Sequence, residues 1–311
     1  MIGFIISIVY SIPCIILYFS TVMIVICNWK HMKSSFYQFY IFEFFMNMWT
    51  FLNGFSSIRL PNITCKGCFL ASLLESLREP SIGSQILFEM QFHMAFVQYS
   101  TTTIVAINRM TLMCYPGFFK KSWSSYGWIL MVLIVILPFS VTYHVFLHDA
   151  YFQYNATFDR FSLESEYPSF ILFSRLFYFM CACSSITIIV NVMTFHKIRS
   201  LWYKPDNLEV NYFLVTFVAS VVQIIGTLLT YAMIIATPNT ALFRMTNIAL
   251  PFVSDALTLL QPILLVIFCS ETNMCEYPSS QLFHPDLSIP SGGCVNNVDY
   301  SSHKILPNLT L

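Results

Sequence analysis

Long apolar stretches alternate with short polar segments along most of the chain. Because about 20 consecutive apolar residues can cross a bilayer as a helix, each stretch predicts one transmembrane span. We predict seven spans, which cover approximately residues 2–27, 36–60, 85–110, 126–146, 170–195, 210–236 and 242–269. Residues 1–269 are thus expected to form a seven-helix domain. The segment 270–311 is rich in Pro, Ser, Asn and Gly, which predicts a disordered tail.

The third predicted span carries polar residues near both of its ends. Glu89, Gln91 and His93 lie near its start, and Asn108 and Arg109 lie near its end. A charge at the centre of a membrane helix costs about 2.5–3.5 kcal/mol on insertion scales, so such side chains usually face a protein interior or a water-filled cavity. We therefore expect a polar pocket at one end of this span and a polar switch at the other.

The composition supports a membrane protein. Hydrophobic residues make up 57% of the 311 residues and charged residues only 10%, whereas a soluble domain has about a quarter of its residues charged. The net charge is zero, and no Lys/Arg-rich run or nucleic-acid motif occurs, which argues against nucleic acid as a partner. The predicted fold class is an all-α, polytopic membrane protein whose surroundings are the lipid bilayer.

The distribution of Lys and Arg predicts the orientation, because short cytoplasmic loops carry an excess of these residues. With the N-terminus outside, the inner loops hold eight of them and the outer loops hold five. The inner residues are Lys30, Lys33, Arg109, Lys120, Lys121, Lys197, Arg199 and Lys204, and the outer residues are Arg59, Lys66, Arg78, Arg160 and Arg244. We therefore place the N-terminus outside and the C-terminal tail in the cytoplasm.

Glycosylation sequons give a second indication of the orientation, since glycans attach only on the lumenal side. The sequons that begin at Asn62 and Asn155 fall in loops that the charge distribution places outside. A third sequon, at Asn308, would be cytoplasmic and unused. Asn62 and Asn155 are therefore the predicted glycosylation sites.

Ten cysteines are scattered along the chain, most of them in or beside apolar runs. Cys65 and Cys68 form a candidate disulfide outside the bilayer. An isolated CxxC lacks the second pair of ligands that a structural zinc site needs. We expect neither a metal nor another cofactor.

Polar side chains in other spans have two interpretations. Glu43 and Asn47 are four residues apart and share one helical face, where they would form hydrogen bonds between helices or, alternatively, contact a ligand or ion. Together with Glu89, Arg175 and Asp255, Glu43 could also line a polar path through a transporter or ion channel. Transporters tend to contain inverted repeats, and we find none. The transporter or channel remains the alternative function.

Two other classes of protein are disfavoured by missing residues. A retinal-binding protein needs a Lys in its seventh span, but no Lys occurs between Lys204 and Lys304. Neither an HExxH nor a GxSxG motif occurs, so no pattern of an intramembrane enzyme is present.

Seven spans with an outer N-terminus and a basic inner loop after the third span resemble a G-protein-coupled receptor. The segment from Asn108 and Arg109 to Pro116 is similar to the Asp-Arg-Tyr box of rhodopsin-like receptors and the proline that follows it, and Trp128 and Pro138 match the family spacing in the fourth span. Finer patterns resemble the nematode serpentine chemoreceptors of class gamma. They are Ser35-Phe36-Tyr37 with Phe39 and Asn47, and Asn191 with Thr194.

The resemblance implies a receptor that binds a small odorant or pheromone and signals through a heterotrimeric G protein. It also implies the plasma membrane of a sensory neuron, in its cilium or dendrite, and makes a second receptor copy a candidate partner. Arg109 would act as a latch that lines a cavity for the G protein when the inner ends of helices move apart. The alternative is that Arg109 only anchors the helix end at the inner interface.

The chain also departs from the receptor pattern. Asn108 replaces the acid of the box, so an ion pair with the neighbouring Arg109 is unavailable. The seventh span has Gln261-Pro262 without the family's Asn or Tyr, and the sixth has neither a Trp nor a mid-helix Pro. The long outer loop has no Cys that could bond to the third span.

The outer halves of four spans supply the predicted ligand pocket, since sites between bundle helices are mostly apolar with a few convergent polar groups. The candidate residues are Glu89, Gln91, His93, Phe96, Gln98, Arg175, Tyr178, Thr230, Tyr231 and Asn247. For each of them, a structural hydrogen bond inside the bundle is the alternative role.

Overall fold

The computed structural model describes residues 2–30, 34–156, 159–200, 207–237 and 240–269. Within these ranges, seven helices have 20 residues or more. The helices are α1 Ile2–Cys27, α2 Ser35–Gly54, α3 Leu60–Ile63, α4 Ala71–Ser76, α5 Ile82–Cys114, α6 Pro116–Ile136, α7 Phe139–Phe146, α8 Ser169–Ser200, α9 Asn207–Ile235 and α10 Ala241–Cys269. The predicted tail, 270–311, lies outside the described residues.

The predicted fold class, an all-α membrane bundle, is confirmed. Five stretches are apolar and long enough to cross a membrane: Gly3–Cys27, Gly117–Phe146, Ser169–Ser200, Val210–Ile235 and Ala241–Phe268. The other two long helices, α2 and α5, are less apolar because their buried faces carry polar residues such as Glu43 and Glu89. Helix α5 is central and packs against α2, α6, α7, α8 and α9.

The fourth predicted span is two helices instead of one. Helix α6 begins ten residues before the predicted start at 126, with Pro116 at a position where a missing backbone N–H has no cost. It ends at Ile136, and α7 begins at Phe139 directly after Pro138. The basic residues Lys120 and Lys121, which we assigned to a loop, therefore lie on a helix.

The second predicted span continues past its expected end. A π-helical turn, Phe55–Arg59, joins α2 to α3, so the chain remains helical as far as Ile63. Such turns insert one residue into the helical repeat and often occur at functional sites. Here the turn supplies Arg59, which pairs with Asp255 of α10.

The long loop before α8 contains a β-hairpin that the sequence analysis did not predict. Strands β1 Ala150–Asn155 and β2 Arg160–Ser165 pair antiparallel, with Ala150 opposite Ser165. Phe152 and Phe161 are buried against Ala71 and Leu74 of α4. Nearby, Cys65 and Cys68 are joined in a disulfide. We call this the hairpin end of the bundle and the opposite one the Arg109 end.

A hydrogen-bonded cluster holds the hairpin turn. Asp159 has a φ of 46° and accepts hydrogen bonds from the Tyr154 hydroxyl, at 2.7 Å, and the Lys66 backbone N–H, at 3.2 Å. These two bonds, that from Tyr154 first, lower the pKa of the Asp159 carboxyl. The hairpin is thereby tied to the loop that carries the disulfide.

Candidate functional site

A narrow polar cavity lies in the middle of the bundle between α2, α5, α9 and α10. Glu43 and Asn47 line it from α2, Gln98 from α5 and Gln261 from α10. About 40 Å³ is open to water-sized groups, which is enough for about three water molecules. The cavity in this structure is therefore too small for a ligand of more than a few atoms.

A chain of hydrogen bonds runs along this cavity through four helices. The Gln98 amide donates to Asn47 at 3.2 Å, and the Asn47 amide donates to the Tyr18 hydroxyl at 3.3 Å. Tyr18 donates to the Gln261 carbonyl at 2.9 Å, and the Gln261 amide donates to the Glu43 carboxylate. Buried polar groups of this kind are satisfied by one another, so a ligand that enters must replace some of these bonds.

A separate cluster joins the hairpin-end portions of α1, the π-helical turn and α10. Asp255 accepts hydrogen bonds from the Tyr10 hydroxyl and the Arg59 guanidinium, which also lies over the Phe51 ring. Asp255 is 4% exposed, so these partners replace the water that would otherwise solvate its carboxylate. Removing one partner of a buried ion pair is strongly destabilising, because the other charge stays buried.

The structure does not bring the ten predicted pocket residues together. Of these ten, only Gln98 lines the central cavity. Glu89 and His93 face α7: the Thr142 hydroxyl donates to Glu89 at 2.9 Å and lies 3.3 Å from Nδ1 of His93. Phe96 belongs to the apolar core with Leu172 and Met180 of α8.

The other predicted pocket residues occupy mixed surroundings. Gln91 is half-buried, and the buried Thr230 hydroxyl donates to the Gly226 carbonyl of its own helix. Four residues are exposed on the outside of the bundle: Arg175, Tyr178, Tyr231 and Asn247. The prediction matched depth along each span, but it could not fix which face of each helix points inward.

At the Arg109 end, two aromatic rings pack on the Arg109 guanidinium. Its carbon lies 4.0 Å from the centre of the Phe36 ring and 4.2 Å from the centre of the Tyr212 ring. The Tyr212 hydroxyl also lies 2.8 Å from that of Tyr37. We call Phe36, Arg109 and Tyr212 the aromatic clamp. It connects the first turns of α2 and α9 to the last turns of α5.

Asn108, the neighbour of Arg109 on α5, forms a hydrogen bond with α2. Its amide donates to the Ser35 hydroxyl at 3.2 Å, and Asn108 is 1% exposed. This bond ties α5 to the start of α2. Pro116 begins α6, two residues after α5 ends at Cys114.

Sequence reasoning missed Tyr212 and the contact between Phe36 and Arg109. Phe36 was singled out only as part of a family pattern, without a role. No local signal identifies Tyr212, because the helix end it contacts is about 100 residues away in the sequence. In the described part of the chain, no three His, Cys, Asp or Glu side chains form a metal-binding group.

Comparison of the sequence with known proteins identifies the family to which it is similar. The model of the family described as Srg family chemoreceptor matches residues 4–273. The chain is also 33% identical over 271 residues to serpentine receptor class gamma-31 of Caenorhabditis elegans, an alignment that covers 84% of this chain and 86% of that protein. The matched family is one of chemoreceptors.

Proposed function

Because the chain belongs to the Srg family of chemoreceptors, we propose that it binds a small odorant or pheromone and signals to a heterotrimeric G protein. The N-terminus lies outside and the Arg109 end faces the cytoplasm. The ligand occupies the central cavity in a widened form, where it contacts the polar chain from Gln98 to Glu43.

The observation that carries this proposal is the double contact of Phe36. Its side chain lines the central cavity and also packs on Arg109 in the aromatic clamp. A ligand that widens the cavity displaces Phe36, and the clamp loses one of its two rings. The site and the switch thus share a side chain, which gives a physical route from binding to signalling.

The energetics follow from population shift. A ligand changes the balance between resting and active arrangements only by its differential affinity for them. Moving a 1:99 equilibrium to 99:1 requires about 5.5 kcal/mol of such difference. New contacts in the widened cavity are one source of this difference, since the narrow cavity has room for only about three waters and cannot make them.

A G-protein reporter assay in a heterologous cell tests the proposal, with small volatiles and secreted metabolites as the panel. Arg109→Ala should abolish the response at unchanged surface expression. Ala219→Leu, which adds three carbons to a side chain that lines the cavity from α9, should shift the dose–response curve at least about tenfold. Val221→Leu adds bulk to an exposed position of the same helix and serves as the control.

Two results would overturn the proposal. One is a ligand response that survives Arg109→Ala. The other is a ligand-gated current or flux in reconstituted vesicles that contain no G protein, which would establish the transporter or channel alternative.

A further inference from the structure

A second cavity opens at the Arg109 end between α2, α5 and α6, and we call it the basic crevice. Its volume is about 580 Å³, within the range of about 300–1,000 Å³ that is usual for small-molecule sites. It is therefore far larger than the central cavity, which has room for about three waters.

The lining of the basic crevice is positively charged. Arg109, Lys120 and Lys121 contribute three cationic groups, and no Asp or Glu occurs among the described residues that line it. Hydroxyl groups of Ser35 and Ser124 add further hydrogen-bond donors. Arginine and lysine with hydroxyl groups are the donors that recognise phosphate oxygens, so the lining suits a polyanion.

The residues around the crevice are of the types that concentrate at a membrane–water interface. Gly117, Lys120, Lys121 and Ser124 follow the spacing of one face of α6. Around them, the same segment exposes Tyr115, Phe118 and Tyr126 on its other faces and Trp128 one turn beyond Ser124, each more than 60% accessible. Tyrosine and tryptophan concentrate where a membrane meets water.

We propose that the basic crevice binds the headgroup of an anionic membrane lipid that carries more than one phosphate, such as a phosphorylated inositol lipid. Basic pockets between membrane helices on the cytoplasmic side are suited to such headgroups. The bound headgroup bridges α2, α5 and α6, and it contacts Arg109 of the aromatic clamp. The proposal rests on the proposed orientation, in which this end faces the cytoplasmic leaflet, but not on G-protein coupling.

The test uses the full chain in phosphatidylcholine nanodiscs. It measures the affinity for a fluorescent phosphatidylinositol bisphosphate and the displacement of this lipid by unlabelled competitors. Lys120→Gln with Lys121→Gln should weaken binding about ten- to thirtyfold, since each cation near the membrane surface contributes about three- to fivefold in affinity. The control is Lys197→Gln with Arg199→Gln, which removes two cations from the end of α8, outside the crevice. It should change binding by less than about threefold.

A second variant removes space instead of charge. A Cβ atom added at Gly117 would meet no atom within 4 Å, so Gly117→Leu should fold normally while the rest of its side chain fills part of the crevice. It should weaken lipid binding without changing the net charge. Unchanged affinity in both crevice variants would overturn the proposal.

Two further measurements identify whether the bound phosphate belongs to a lipid and whether binding is specific to the crevice. Soluble inositol trisphosphate should compete weakly, because it lacks the lipid chains that hold the headgroup at this depth. Equal competition by the soluble compound would overturn the membrane-lipid assignment. Equal weakening by the control pair would overturn the site, since it would indicate general attraction to a basic surface. No G protein is present, so these results are independent of the coupling assay.

Discussion

Arg109 illustrates how the neighbours of one residue define its role. The sequence places it at the end of the third span beside Asn108, without the adjacent acid of the related box. In the structure, Asn108 bonds Ser35, and the Arg109 guanidinium lies between the rings of Phe36 and Tyr212. A cation between two rings in a partly desolvated place gains up to about 2 kcal/mol per contact. In the proposed receptor, the clamp is thus strong enough to bias the balance between resting and active arrangements.

We predict that Tyr212→Leu raises basal signalling about tenfold, because it removes one ring from the guanidinium and frees the first turns of α9. Tyr212→Phe retains the ring and loses only the hydroxyl near Tyr37, so its basal signalling should stay within about threefold of the wild type. The measurement is ligand-free reporter activity at matched surface expression. Equal behaviour of the two variants would argue against the ring as the restraint.

The pair of Arg59 and Asp255 gives a second prediction at this scale, for stability. Arg59→Met leaves the buried Asp255 charge with the Tyr10 hydroxyl, and we expect a loss of about 3–5 kcal/mol. Arg59→Met with Asp255→Asn removes both charges and retains a hydrogen-bond acceptor for Tyr10. Thermal unfolding in detergent should therefore show the double variant to be more stable than Arg59→Met alone. A double variant as unstable as the single one would contradict a charge-based explanation.

At the scale of elements, hydropathy located the seven long helices, though not all of their bounds, and did not locate the hairpin. An apolar stretch of more than 20 residues is a strong signal, whereas strands β1 and β2 have six residues each. Their buried positions, such as Phe152 and Phe161, alternate with polar ones, but the charges of the loop obscured this pattern. The start of α6 was missed for a similar reason, because Lys120 and Lys121 suggested a loop.

The hairpin turn should respond to pH through Asp159. Its pKa is lowered in the folded turn by the Tyr154 hydroxyl and the Lys66 N–H. The carboxylate therefore stabilises the turn at pH values above the ordinary Asp range, and this contribution is lost as the pH falls through the lowered pKa. Hydrogen exchange of residues 150–165 should be slow and constant near neutral pH and should become faster, after correction for intrinsic rates, in strong acid.

The matched variant for this test is Asp159→Asn, because Asn also tolerates the left-handed backbone at φ 46°. It removes the titrating carboxylate without adding backbone strain. Protection in the hairpin should be lower at neutral pH and should no longer depend on acid. A pH dependence that persists in Asp159→Asn would assign the effect to another group.

At the scale of the whole molecule, the sequence predicted how deep residues lie more reliably than how helices are rotated. Glu43, Asn47 and Asp255 are buried, as expected for polar groups in a membrane bundle. Arg175, Tyr178, Tyr231 and Asn247 were chosen at a similar depth, yet they are exposed. Rotation depends on contacts between helices that are far apart in the sequence, and a single chain's hydropathy carries little of that information.

The two ends of the bundle also differ in a way that predicts how the chain is inserted. The hairpin end carries the disulfide and the sequon asparagines Asn62, which is exposed on α3, and Asn155, at the last position of β1 before the turn. Thr157 of the second sequon lies outside the described residues. The Arg109 end carries Lys120 and Lys121. An outer hairpin end therefore satisfies both the sequons and the preference for inner cations.

We predict that Asn62 and Asn155 are both glycosylated and that Asn308 is not. Glycans attach only on the lumenal side, before the hairpin has folded around Asn155, so each accessible sequon should receive one. Asn62→Gln and Asn155→Gln should each increase electrophoretic mobility by one glycan, and the double variant should match the enzymatically deglycosylated wild type. Asn308→Gln is the control and should change nothing. A glycan on Asn308 alone would mean that the tail is outside and the Arg109 end is not cytoplasmic, which would remove both the coupling face and the lipid site from the side where they are needed.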